Sequence, residues 1–270
     1  LMSFRDTIIL AMSEEMRRDE NVLLMGEDVG VFGGDFGTSY TQKRPVIALM
    51  SKALVITLRL AVFAYIFAIA LGLIMGILAA VNHGKWLDRT LMSLAIFGIS
   101  APSFWVALVL QIIFALTLKW FPLSGVKTAS AYVLPVIALG TRYAASVARV
   151  TRTSMLDVLN QDYIRTAEAK GLKRSVIILK HALRNALIPI ITIAGSQLGD
   201  ILTGSIIIES IFNMNGMGKL VLDAINARDL PLIQGSVMYI AVICVVIYLL
   251  VDILYAVVDP RIRLGEEASE

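Results

Sequence analysis

Residues 60–81 run for the thickness of a bilayer without one charged side chain. A helix needs about 20 apolar residues to cross the hydrocarbon core. Inside that core each backbone N–H and C=O must be satisfied by the chain itself, and a helix does this within a single segment. Four more apolar runs follow at 91–118, 131–150, 186–208 and 232–258. The expected fold is therefore all-α, a polytopic transmembrane helix bundle of about five spans. Pro102, inside the second run, removes a backbone donor and predicts a kink or break at 100–103. Pro135, Gly140 and Arg142 make the third run the least regular, and its second half reads as a helix leaving the membrane towards Arg149 and Arg152.

Charge is sparse and clustered, which matters more than its total. Asp, Glu, Lys and Arg make up 17% of 270 residues, and the net charge of +3 is too small to point to nucleic acid. The segment 149–184 and the short turns at 82–89 and 259–270 together hold twelve Lys or Arg, against seven in the intervening loops. The positive-inside rule then puts the block 151–189 in the cytoplasm. Within it, Ser154 followed by Asp157 reads as a helix start. Gly171 reads as a left-handed stop, and a second helical run continues through Ile177, Ile178 and His181 to Asn185. The block is thus a helix–glycine–helix hairpin between membrane segments.

With an odd number of spans, residues 34–53 become an extracytoplasmic lead-in that nothing upstream is apolar enough to carry across. A first transmembrane helix is accordingly expected to be missing. No charged segment followed by an apolar core opens the chain at Leu1, so no signal peptide is expected. The expected division is a foreign-looking soluble piece at 1–33, the lead-in at 34–53, the transmembrane domain at 54–265 and a tail at 266–270.

Chemistry-bearing residues are few. The two histidines, His83 and His181, stand at no metal-ligand spacing, Cys244 is alone in an apolar run, and no glycine-rich phosphate loop ends in Lys-Ser or Lys-Thr. No catalytic, cofactor or metal site is expected, and ATP-driven work would need its ATPase on another chain. Asp200 lies within the fourth span, where an acid costs roughly 2.5–3.5 kcal/mol unless it faces a bundle interior or water. Ser196 and Gln197 precede it, and Thr203 follows it, at helical spacing. That stripe reads either as the lining of a translocation path, with Asp200 meeting a substrate ammonium, or as a helix contact. Asp252 reads as an ion-pair partner near the end of the last span, and Glu209 as a solvated residue at the outer edge.

Two resemblances complete the reading. The segment SEEMRRDENVLLMGEDVGVFGG resembles the amino terminus of the beta subunit of thiamine-dependent 2-oxoacid dehydrogenases, but stops short of any catalytic segment. Over about 34–265 the chain resembles the permease subunits of ABC importers of the dipeptide/oligopeptide branch. The motifs that carry this are DFGTSYTQKRPV, GISAPSFW, ARVTRTSMLDVL, R-T-A-x-x-x-G ending at Gly171, HALRNALIP and RDLPLIQG. Gly216-Met217-Gly218 is similar to that family's P-G-L-G segment.

The resemblance implies that Asp162, Tyr163, Arg165, Thr166, Ala167, Ala169, Lys170 and Gly171 dock on an ATP-binding subunit. The small side chains of Thr166, Ala167 and Ala169 suit close approach. It further implies a second homologous permease, two ATP-binding subunits, an extracytoplasmic substrate-binding protein and a bacterial or archaeal cell membrane. Peptide is the expected cargo. Nickel is the alternative within the family, and an ion-coupled secondary transporter the alternative outside it.

Overall fold

The computed structural model describes residues 36–126 and 128–258, and it is helical almost throughout. Helix α1 spans Val46–Val81. Helix α2, Trp86–Ser100, and the segment α3, Ser103–Thr117, meet at a bend of 106°. After a 3₁₀ turn at Ala129–Tyr132, α4 runs Val133–Leu159. The short α5, Asp162–Ala169, leads to α6, Arg174–Ile211, then to α7, Met217–Asn226, and α8, Leu230–Val258. Four of these are long and apolar enough to cross a membrane, or five when the bent α2–α3 pair counts as one span. The expected helix bundle is what forms.

The break between α2 and α3 falls at Ala101 and Pro102, both extended. The last seven residues of α3, Gln111–Thr117, widen into a π-helix. Gln111 there donates its side-chain amide to Leu123 O at 2.9 Å and so holds the following loop. The expected kink at Pro102 is thus a sharp corner.

Helix α4 is the centre of the bundle. Of its apolar stretch 61% is buried, against 33% or less for the other three long spans. Lipid gives helices no hydrophobic reason to associate, so close packing of small residues decides which pairs form. Gly72 and Gly76 of α1 face Val147 and Thr151, and the backbone oxygens of Ala144 and Ala148. Gly140 of α4 faces Ala64 O and the Phe67 ring. A Cβ at any of the three would collide with backbone, so α1 and α4 approach as only glycine allows. Ala61, Ala64, Ala68, Ala138, Ala144 and Ala145 are buried along the same seam.

Three further expectations change. Helix α1 begins at Val46, well inside the stretch read as an extracytoplasmic lead-in, because Val46, Leu49, Met50 and Ala53 bury against Met217, Ala224 and Leu232. Ser154 starts no helix. It lies buried within α4, which continues to Leu159, and the chain turns only at Asn160–Gln161. The hydrophilic loop expected after the fourth span contains α7, which buries Met217 and Ala224 and exposes Leu222 and Ile225. The readings placed on residues 1–33 and 266–270, and on the side chain of Asp252, lie outside what is described.

Candidate functional site

The polar stripe of α6 lines a cavity. Ser196, Gln197, Asp200 and Thr203 come together with Arg142, Tyr143, Ser146 and Arg149 of α4 around an open cavity of about 650 Å³. Arg142, Ser146 and Arg149 stand four and three residues apart, which is one helical face. Ile99, beside the α2–α3 corner, closes one flank. Asp200, Arg142 and Arg149 are exposed to this space, and none makes an ion pair with another described residue. Gln197 is 6% exposed, and its Oε1 has no hydrogen-bond partner among the described residues. The sequence stripe pointed to the α6 wall. The α4 wall was missed because Arg142 was read as an irregularity of the third run and Arg149 as lying where that helix leaves the membrane.

The basic end is built differently. Helix α5 opens with Asp162 in its first turn, where an acid suits the helix dipole. It closes on Gly171 at φ +73°, with Gly171 N donating to Glu168 O at 2.9 Å and Leu172 N to Ala167 O at 3.3 Å. This pair of bonds around a left-handed glycine is a Schellman stop. Asp162, Tyr163, Arg165, Thr166, Ala169, Lys170 and Gly171 are exposed. Ala167 is not: with Ile164 it packs inward on Met155, Ile177 and Ala186, so it gives α5 its footing and offers no outer surface. Tyr163 Oη accepts from Asn185 Nδ2 at 2.8 Å, which fastens α5 to α6. Arg165 reaches Asp162 at 3.6 Å across one turn.

Next to this hairpin, Arg152 holds Asp88 through Nε at 2.6 Å and Nη2 at 2.8 Å, and Gly84 N adds a third donor at 3.0 Å. The same Nη2 lies 3.1 Å from His83 Nδ1. This clamp ties the start of α2 to the lower end of α4.

At the opposite end two carboxyl groups organise the loops. Asp229 accepts from Ser39 Oγ at 2.5 Å, Thr41 Oγ1 at 2.7 Å, Thr41 N at 3.0 Å and Tyr40 N at 3.1 Å. Burial works against its charge, but the Ser39 and Thr41 bonds outweigh it and hold the Asp229 carboxyl down at about 2. Two of the quoted motifs, DFGTSYTQKRPV and RDLPLIQG, therefore meet through this residue.

Glu209 is fully buried, which corrects its reading as a solvated edge residue. Its Oε1 accepts from Thr57 Oγ1 at 2.6 Å and Ser205 Oγ at 3.1 Å, and its Oε2 from Gly218 N at 2.9 Å and Lys219 N at 3.2 Å. Thr57 Oγ1 also accepts from Met217 N at 2.8 Å. Orphan donors at the start of α7 thus end on a carboxyl carried by α6. The Gly-Met-Gly segment is this helix start, and Gly216 lies so close to the Glu209 carboxyl that a Cβ would strike it.

Similar proteins agree with this architecture. A family model described as "Binding-protein-dependent transport system inner membrane component" matches residues 72–264. The glutathione transport system permease protein GsiC of Salmonella typhi is 43% identical over 233 residues, which cover 86% of this chain and 76% of that protein. Its counterpart in Pectobacterium atrosepticum is 44% identical over the same lengths. That of Escherichia coli K12 is 42% identical over 230 residues, covering 85% and 75%.

Among solved structures, the MetNI methionine ABC transporter in an inward-facing conformation superposes with a TM-score of 0.66 at 18% identity, covering 79% of this chain and 97% of that one. An amino acid ABC transporter with histidines gives 0.59 at 18%, covering 80% and 94%. At such identity they speak for the fold. The dehydrogenase likeness at residues 1–33 lies outside the matched family segment, and no comparison supports it. The secondary-transporter alternative falls away. The chain is a permease and not an enzyme, with ATP hydrolysis on a separate subunit. A bundle seamed by small residues, bent at Pro102 and carrying a glycine-stopped hairpin at its basic end thus belongs to the family of binding-protein-dependent transport system inner membrane components.

Proposed function

We propose that this chain is one permease half of an ATP-driven importer of small peptides. It would work beside a second homologous permease, two ATP-binding subunits on the cytoplasmic side and an extracytoplasmic binding protein. The observation that carries the cargo path is the cavity between α4 and α6, whose polar walls occur within an otherwise apolar bundle. Its volume of about 650 Å³ falls among ordinary small-molecule sites, which run to about 1,000 Å³. Ser196, Gln197, Asp200 and Thr203 would line the path on one side. The named cargo of the relatives, glutathione, is a tripeptide and supports peptide over nickel.

The exposed hairpin suits the coupling role. Asp162, Tyr163, Arg165, Thr166, Ala169, Lys170 and Gly171 present a continuous surface to a partner, while Ala167 anchors it from within. Because α6 continues from the hairpin as one helix to Ile211, a displacement of α5 reaches the cavity wall through a stiff element. Rocking of α6 against α4 would alternate the access of the path.

Gly171→Pro tests the coupling role. Proline fixes φ near −65°, which the +73° at this position excludes, and it removes the N–H that closes the Schellman stop. The variant is expected to reach the membrane yet lose the ATP-binding subunits on co-purification. Retention of those subunits would refute the coupling role. Peptide-stimulated ATP hydrolysis by the assembled complex tests the cargo class.

A further inference from the structure

Three charges face the α4–α6 cavity without an ion-pair partner among the described residues: Arg142 and Arg149 on one wall, Asp200 on the other. Elsewhere the described bundle pairs its buried charge. Asp88 has Arg152, while Glu209 and Asp229 each have four donors. A fold that satisfies those groups so fully has left these three open towards a space of ligand size.

We propose that this cavity reads the charge of its cargo, and that it favours small peptides bearing two carboxylates and one ammonium. In this reading Arg142 and Arg149 each take a carboxylate, and Asp200 takes the free amino group. The inference rests on the peptide-importer reading and deepens it. The count of charges is one argument: two guanidiniums against one carboxylate complement a peptide of net charge −1, not an ordinary zwitterion.

Spacing is the other. Seven residues of helix separate Arg142 from Arg149, a rise of about 10.5 Å. An extended tripeptide covers about 10 Å, so its two ends reach both positions. Guanidinium is the cation suited to this task, since its fork meets a carboxylate through two parallel bonds. Ser146 lies between the two arginines on the same face. The unpartnered Gln197 Oε1 supplies an acceptor opposite, for a peptide N–H once the side chain turns outward. The γ-glutamyl tripeptide named for the relatives has this pattern of two carboxylates and one amine.

The test is equilibrium binding of labelled peptides to the assembled transporter in nanodiscs. The probes are γ-glutamyl-alanyl-glycine, alanyl-alanyl-glycine and the N-acetylated form of each. Wild-type protein should hold the γ-glutamyl peptide at least about tenfold more tightly than the neutral one. One of Arg142→Gln and Arg149→Gln, the one that removes the partner of the second carboxylate, should abolish most of that preference. The other, which removes the partner of the carboxylate common to all four probes, should weaken all four by a similar factor. Co-purification of the ATP-binding subunits certifies that the variants have assembled. Asp200→Asn should weaken both free-amine peptides and leave the acetylated ones unchanged. Equal losses for all four probes in both arginine variants or in Asp200→Asn, unchanged binding in the variants, or no wild-type preference would each overturn the charge reading. The importer reading is judged separately, by ATP hydrolysis with binding protein and peptide: if no peptide stimulates the wild-type complex, that reading fails.

Discussion

Two regions of the bundle handle charge in opposite ways. At the end opposite the basic hairpin Glu209 and Asp229 are both completely buried, and each accepts four hydrogen bonds from hydroxyls and backbone N–H groups. In the cavity, Arg142, Arg149 and Asp200 are exposed and make no ion pair with any described residue. The difference separates two uses of a polar group within one membrane domain. A carboxyl surrounded by donors joins segments that are far apart in sequence: Glu209 draws together α1, α6 and α7, and Asp229 joins the turn at 39–41 to α8. A charge left open contributes little to the fold and is free to meet something that passes.

The largest break in that comparison is Glu209→Ala. It would strand Thr57 Oγ1, Ser205 Oγ, Gly218 N and Lys219 N in a dry site, where hydrogen bonds to a carboxyl are worth most. A loss of roughly 4 kcal/mol is expected, read as a lowered thermal unfolding midpoint in detergent, with Glu209→Gln recovering part of it. A midpoint unchanged in the Ala variant would mean that the network does not bind these segments together.

Asp229 comes next, and its contribution depends on pH. Its folded-state value of about 2 lies below the ordinary 3.8, so the stabilisation is complete above about pH 4 and is lost as pH falls towards 2. It amounts to roughly 2 kcal/mol. The thermal midpoint of wild-type protein should exceed that of Asp229→Asn by a constant margin near neutrality, and the margin should narrow below about pH 4. A margin that persists undiminished into acid would assign the effect to shape and not to charge.

These clamps mark where the sequence could be read and where it could not. The apolar runs, the break at Pro102 and the stop at Gly171 were legible because each follows from local chemistry: length, a missing N–H, a left-handed turn. The stripe at Ser196, Gln197, Asp200 and Thr203 was legible because helical spacing is also local. Glu209 was misread because its donors come from Thr57 and from α7, and no local pattern announces a partner 152 residues away. Asp229 and Asp88 escaped notice for the same reason, their partners lying at Ser39–Thr41 and Arg152. The central position of α4 was hidden by its own charges. Arg142 suggested an irregular span and Arg149 an exit from the membrane, whereas the glycines that seat α4 deepest lie largely on α1, at Gly72 and Gly76.

The smallest expected effect on stability sharpens the comparison most. Asp200→Asn keeps the size of the side chain and removes a charge that is exposed to the cavity and unpaired among the described residues. Its midpoint should stay within the equivalent of about 0.5 kcal/mol of wild type, as for a surface change that breaks no contact, while handling of free-amine peptides changes. The side chain is open to the cavity, so a modest shift in either direction fits a solvated charge. A fall as large as that of Asp229→Asn does not fit. It would make Asp200 a member of the folding network, and the division between charges that build the bundle and charges that face its cargo would no longer hold.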